Sequence, residues 1–185
     1  MGILWAREDL LSSLHSYKVR PLPEKLPDKY QPGTPQLELL AAMESCIHYF
    51  AWLGGRLGAP DTGRTALQYA YEGIRSWEAP LTCALLNGIA KLDGAAICGI
   101  TDQADMAWRV PTVSFTHAEL PSIQIAQKLA EQNIFVWSGH NFALETARSL
   151  GLNEQDGVVR IGLAHYNTAD EVEAVLTSLN RVIAG

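Results

Sequence analysis

The chain has 185 residues, 48% of them hydrophobic and 18% charged, with a formal net charge of −6. That length suffices for one good core or two small subdomains. No basic block offers an electrostatic footprint for nucleic acid or an anionic membrane surface, and no apolar stretch reaches the ~18 residues of a bilayer span.

Gly2 to Ala6 reads as a short strand and Arg7 to Leu14 as a short helix, with Glu8 and Asp9 placed where the helix dipole favours acids. Pro21, Pro23, Pro27, Pro32 and Pro35 fix φ and remove donors, which predicts an extended loop. From Pro35 to Leu53, apolar residues recur at helical spacing, among them Leu39, Leu40, Met43, Ile47 and Phe50. Two further helices are expected over Thr65 to Trp77 and Pro80 to Leu92, with a kink or break at Trp77-Glu78-Ala79-Pro80.

The texture changes at Gly94. Strands are expected at Ala95–Ile100, Thr112–Thr116, Ile134–Trp137 and Val158–Leu163, and helices at Pro121–Glu131, Asn141–Leu150 and Thr168–Ile183. The last opens on a capping box, Thr168-x-x-Glu171. The order β-β-α-β-α-β-α predicts an α/β or α+β subdomain, a small mixed sheet with helices packed on a face. Cys46, Cys83 and Cys98 each lie in an apolar context, which predicts buried free thiols in a reducing cytoplasm. The five tryptophans, Trp5, Trp52, Trp77, Trp108 and Trp137, are expected in core or interface. No CxxC or HExxH spacing is present, so a metal site is not expected.

Six runs carry a family likeness: Met1–Arg7, Tyr17–Pro21, Gly33–Glu38, Arg109–Phe115, Val136–His140 and Val159–Thr168. Together and in order, they resemble the C-terminal portion of a fold-type-I, pyridoxal-phosphate (PLP) dependent enzyme of the class V aminotransferase and cysteine desulfurase family. The resemblance implies that residues 1–30 form the tail of a large PLP-binding domain, 31–93 linking helices, and 94–185 a small C-terminal domain. It also implies a cytoplasmic homodimer or oligomer acting on an amino-acid substrate.

Arg160 lies in an apolar strand run, where a guanidinium is costly unless it is paired. Planar, bidentate recognition of a carboxylate suits it. In the family, the matching arginine binds the substrate α-carboxylate; the alternative is an ion pair with Asp156 or Glu154. Gly33 and Thr34 precede a helix, where N–H groups and a hydroxyl suit a phosphate. The resemblance assigns them to the PLP phosphate, while Thr34 as a simple cap is the other reading. His140 is read either as a substrate-pocket residue or as a loop histidine satisfied by backbone.

In desulfurases the His140 loop contains Gly-His-His-Cys-Ala, and its cysteine accepts the substrate sulfur. Here the run is Gly139-His140-Asn141-Phe142-Ala143. The sulfur-accepting position is Phe142, and a phenyl ring cannot replace a thiolate nucleophile. His165, Tyr166 and Asn167 read as a strand-to-helix turn ordered by Asn167 and Thr168.

PLP chemistry needs a lysine that forms a Schiff base. Lys18, Lys25, Lys29, Lys91 and Lys128 all fall outside the family's Schiff-base motif. The resemblance therefore implies a C-terminal fragment with no catalytic residue of its own, binding PLP only with a complementing N-terminal half; the alternative is a non-catalytic dimerisation or partner-binding module. Incubation with PLP followed by borohydride and peptide mass mapping should find no stoichiometric adduct on any of the five lysines. One such adduct would overturn the fragment reading.

Overall fold

The computed structural model describes residues 2–185. Met1, the first residue of the Met1–Arg7 run, lies outside them. By compactness the chain divides within one helix, into units Met1–Ala70 and Tyr71–Gly185. The texture change at Gly94 coincides with the start of the sheet.

The first unit holds α1 (Glu8–Ser13), a 3-10 turn at Asp28–Tyr30, α2 (Leu37–Arg56) and the start of α3 (Arg64–Ile89). The strand expected over Gly2–Ala6 does not form. Ile3, Leu4 and Trp5 are exposed, and a strand without a partner leaves its ladder groups to water. The proline-rich stretch is organised by Lys29, which is 4% exposed. Its Nζ donates to the carbonyls of Leu11 (3.2 Å), Ser12 (2.9 Å) and Leu14 (2.6 Å). Three carbonyls replace the water that a buried ammonium gives up. At Gly54 a Cβ would drive into the Ala66 carbonyl, so glycine permits the close approach of α2 to α3. Much of α2 stays exposed, including Leu37, Ile47 and Trp52.

Of the kink or break expected near Pro80, the break does not occur: α3 continues through the proline. One proline removes a single N–H donor. Beyond it, Leu81, Leu85, Leu86 and Ile89 recur at helical spacing and are all buried, which favours continuing the helix.

The second unit adds β1 (Ala95–Cys98), a 3-10 segment (Gln103–Trp108), β2 (Thr112–His117), α4 (Ser122–Ala130), β3 (Trp137–Gly139), α5 (Leu144–Ser149), β4 (Val158–Gly162) and α6 (Ala169–Ala184). Helices and sheet form the mixed α/β subdomain expected. The sheet itself is not mixed: in the order β1-β2-β4-β3, all three ladders are antiparallel. The one parallel contact is an isolated bridge between Gly139 and Gly157. The strand expected over Ile134–Trp137 begins only at Trp137, which pairs with Arg160, while Phe135 before it is exposed.

Alternation fixes the two faces of the sheet. Val113, Phe115, Val159 and Ile161 face a core completed by Leu85 and Ile89 of α3, Ile125 and Leu129 of α4, and Val172, Val175 and Leu179 of α6. Ser114 and Arg160 take the intervening positions and point to the opposite face. The turn after β4 is ordered by Asn167, whose Oδ1 accepts from the Ala164 N–H (2.8 Å). The capping box of α6 then forms in full: the Thr168 hydroxyl accepts from the Glu171 N–H, and the Glu171 carboxylate accepts from the Thr168 N–H (2.8 Å).

One burial expectation is corrected. The thiols are free, but Cys46 is exposed and Cys83 and Cys98 are only half-buried. All five tryptophans are exposed in this chain, which places them outside the core and leaves an interface as their other expected place. A tryptophan on a helix or loop rim has no apolar layer to enter once the smaller aliphatics fill the core.

Phe115 is fully buried, so Phe115→Ala should cost about 3–5 kcal/mol in denaturant unfolding of the chain. Glu171 makes a pH-dependent contribution. The Thr168 N–H, helped by Asn167, holds its carboxyl below the ordinary 4.5. A carboxyl depressed on folding stabilises fully above its unfolded value and ceases to do so as pH falls through the folded value. The stability difference between wild type and Glu171→Gln should therefore be largest near neutrality and shrink as pH drops below 4.5.

Candidate functional site

The site lies on the sheet face turned away from the core. Cys98 on β1 pairs with Ser114 on β2, Ser114 with Arg160 on β4, and Arg160 with Trp137 on β3. Directly paired residues of antiparallel strands point to the same face. Four side chains from four strands therefore stand in one row, with Cys98 about 10 Å from Arg160 at ~4.8 Å per strand.

Arg160 has neither of its predicted structural partners. Glu154 is taken by Arg148 (2.6 Å), and Asp156 accepts from the Ser122 N–H (2.6 Å). The Arg160 guanidinium has no hydrogen bond or ion pair to any described residue, and the residue is only partly exposed. A cation on an ordered strand, reachable by solvent and lacking an acid, is a ready anion partner.

Two cavities meet at this guanidinium. The larger, of about 520 Å³, is lined by Trp137, His140, Phe142, Gln155 and Arg160. The smaller, of about 310 Å³, holds Cys98, Ser114 and Thr146, and shares His140 and Arg160 with the first. Neither is lined by an Asp or Glu. Arg160 and His140, chosen from sequence, are thus brought together.

The loop after β3 shapes both cavities. Gly139 has φ +97°, Asn141 +51° and Phe142 +61°. Two consecutive non-glycine residues in the left-handed region cost free energy, and such strain concentrates at functional loops. The Asn141 amide donates to the Gly139 carbonyl (2.9 Å), and the Ala143 N–H donates to the His140 carbonyl (2.8 Å). Gly157 supports the loop from below: its φ is +65°, and a Cβ there would collide with the Gly139–His140 peptide. Phe142 is 100% exposed on the rim.

Cys98 was not singled out from sequence. It lies 62 residues from Arg160 in the chain, and only the strand order makes them neighbours. Burial pushes its thiol above the ordinary range, which keeps it protonated and weakly nucleophilic at neutral pH.

Gly33 and Thr34 belong to the first unit. Gly33 has φ +103°, and Thr34 does not cap α2: its N-cap is Gln36, with no side-chain hydrogen bond. The Gly33 and Thr34 N–H groups donate to no described residue. Thr34 thus keeps the donors a phosphate would use, but stays within its own unit.

A covalent PLP site needs a free lysine amine. Lys29 is held by three carbonyls, and Lys18 donates to the Leu22 carbonyl (2.6 Å) and pairs with Glu24 (2.9 Å). No lysine lines either cavity at Arg160. Arg109, from another of the resembling runs, is a brace: its guanidinium donates to the carbonyls of Ile100 and Thr112 (3.0 Å) across the β1–β2 connection.

A family model for aminotransferase class-V matches residues 1–175. The aminotransferase-like protein FGM3 of Gibberella zeae is 34% identical over 115 residues, covering 61% of this chain and 28% of its own length. A probable cysteine desulfurase of Pseudomonas putida is 26% identical over 171 residues, covering 92% of this chain and 35% of its own. The apo structure of cysteine desulfurase from Thermococcus onnurineus NA1 superposes with a TM-score of 0.64 at 23% identity, over 86% of this chain and 34% of that one. The chain therefore spans about a third of the length of the proteins it matches.

The loop strain is directly measurable. Phe142 packs on nothing that its exposure reveals, so Phe142→Gly should leave the unfolding free energy unchanged or raise it by up to ~1 kcal/mol. Phe142→Val, β-branched at positive φ, should lower it.

Proposed function

The chain belongs to the aminotransferase class-V family, and from that premise we propose that it is the substrate-recognition part of a PLP-dependent, cysteine desulfurase-like enzyme acting on an amino acid. One observation carries this reading: the unpartnered guanidinium of Arg160, opening into cavities that it shares with His140 and that no acid lines. Arg160 takes the substrate α-carboxylate in a bidentate grip. His140, fixed at the end of β3, borders the same ligand. Gly33 and Thr34 offer N–H groups to the cofactor phosphate, in the manner of a loop before a helix.

PLP, when bound by the complete enzyme, supplies an electron sink for the substrate amine. The covalent lysine comes from a segment other than the residues described, so the chain alone binds and orients but does not catalyse. With Phe142 in the sulfur-accepting position, transfer of sulfur to the His140 loop is not part of the proposed activity. The working assembly is a homodimer or larger oligomer in the cytoplasm, a reading supported by the apolar residues that α2 leaves exposed.

Titration of the chain with L-amino acids, followed by isothermal calorimetry or amide chemical shifts, tests the carboxylate grip. Arg160→Ala should weaken binding at least tenfold, by roughly 1.5–3 kcal/mol for a lost charged hydrogen bond, and Arg160→Lys should restore only part of it. The fold should survive both changes, since Arg160 holds no described residue. Binding unaffected by Arg160→Ala would favour the non-catalytic interaction module instead.

A further inference from the structure

Resting on that reading of Arg160, we infer that the ligand's side chain is apolar, with an aromatic ring preferred, and that it is not the thiol of cysteine. The row across the sheet sets Trp137 beside Arg160 on the same face, because the two residues are directly paired. Trp137 is 66% exposed and Phe142 is 100% exposed, yet both line the cavity that Arg160 enters. Two aromatic surfaces left in water around a cavity that also holds a free cation form an amphipathic cleft. One end suits a carboxylate, and the walls suit an apolar group.

The polar side chains there are neutral apart from Arg160. Ser138, His140, Asn141 and Gln155 border the cleft, while no acid is present to receive a cationic side chain and no second arginine or lysine to receive a second carboxylate. The volume of about 520 Å³ accommodates an aromatic amino acid and is generous for cysteine. Stacking on Trp137 and Phe142 rewards a ring through both area and geometry.

Nothing in the cleft is built to receive sulfur. Position 142 carries a phenyl ring, held there at a φ of +61°. The thiol that is present, Cys98, lines the smaller adjoining cavity and not the larger one. Burial raises its pKa, in keeping with a packing role.

The test titrates the full chain with acetate, L-cysteine, L-leucine and L-phenylalanine, in wild type and in the variants Trp137→Ala, Phe142→Ser and Arg160→Ala. Both aromatic positions are largely exposed, so the substitutions should leave the fold intact, and circular dichroism will verify it. L-Phenylalanine should bind at least about tenfold more tightly than L-cysteine, the range that apolar pocket contacts deliver. Trp137→Ala and Phe142→Ser should each bring the two affinities together. If Arg160-dependent binding is found but L-cysteine binds as well as L-phenylalanine, the side-chain inference fails and the carboxylate reading stands. A preference that survives both aromatic substitutions also overturns the inference. If no carboxylate binds in an Arg160-dependent way, both fail.

Discussion

The structure of the second unit depends on the register of β4. In that strand Val159 and Ile161 are buried and Arg160 between them is not. A slip of one residue would send the guanidinium into the layer filled by Leu179, Val175 and Ile125, and would push two aliphatic side chains into water. Each displaced aliphatic forfeits about 1.5–3 kcal/mol, and the buried cation would cost several more. One hydrophobic pattern therefore sets both the core and the site. It also aligns Cys98, Ser114 and Trp137 with Arg160, since each ladder transmits the same face across the sheet.

What could be read from the sequence follows from what is local. Most strand and helix periods in the last ninety residues came through because those elements bury one face on the same core, whereas β3 begins only at Trp137. The Thr168–Glu171 box and the Asn167 turn were legible because their hydrogen bonds close within a few residues. Helix α3 continues where a break was one of two expectations, because a proline's penalty is local, while the four buried aliphatics that outweigh it lie downstream. The first strand was misjudged for the opposite reason: Ile3, Leu4 and Trp5 have strand propensity, but pairing is a property of neighbours.

The site was legible one residue at a time. Arg160 and His140 were readable because an arginine between aliphatics and a histidine after a turn glycine are anomalies of the local string. Their companionship with Cys98 and Ser114 was not, since it needs the order β1-β2-β4-β3, which no local pattern encodes. The two ion pairs offered for Arg160 were reasonable by proximity in sequence. They lost to better geometry: Arg148 sits one helical turn from Glu145 and reaches Glu154 as well, and Asp156 accepts from the backbone at the start of α4.

This division of labour bears on what the chain can do alone. A guanidinium that grips a carboxylate meets the same group in the substrate and in the transition state. Uniform binding of that kind fills the site without lowering the barrier. Acceleration requires groups that change their interaction as charge moves, and the lysine amines whose bonds are described are spent on carbonyls and on Glu24. In the proposed function, the strained loop at Asn141 and Phe142 and the row across the sheet instead serve to fix where a ligand lies. On the proposed reading, orientation is this chain's contribution, and it has value only when a reactive partner is held on the ligand's other side.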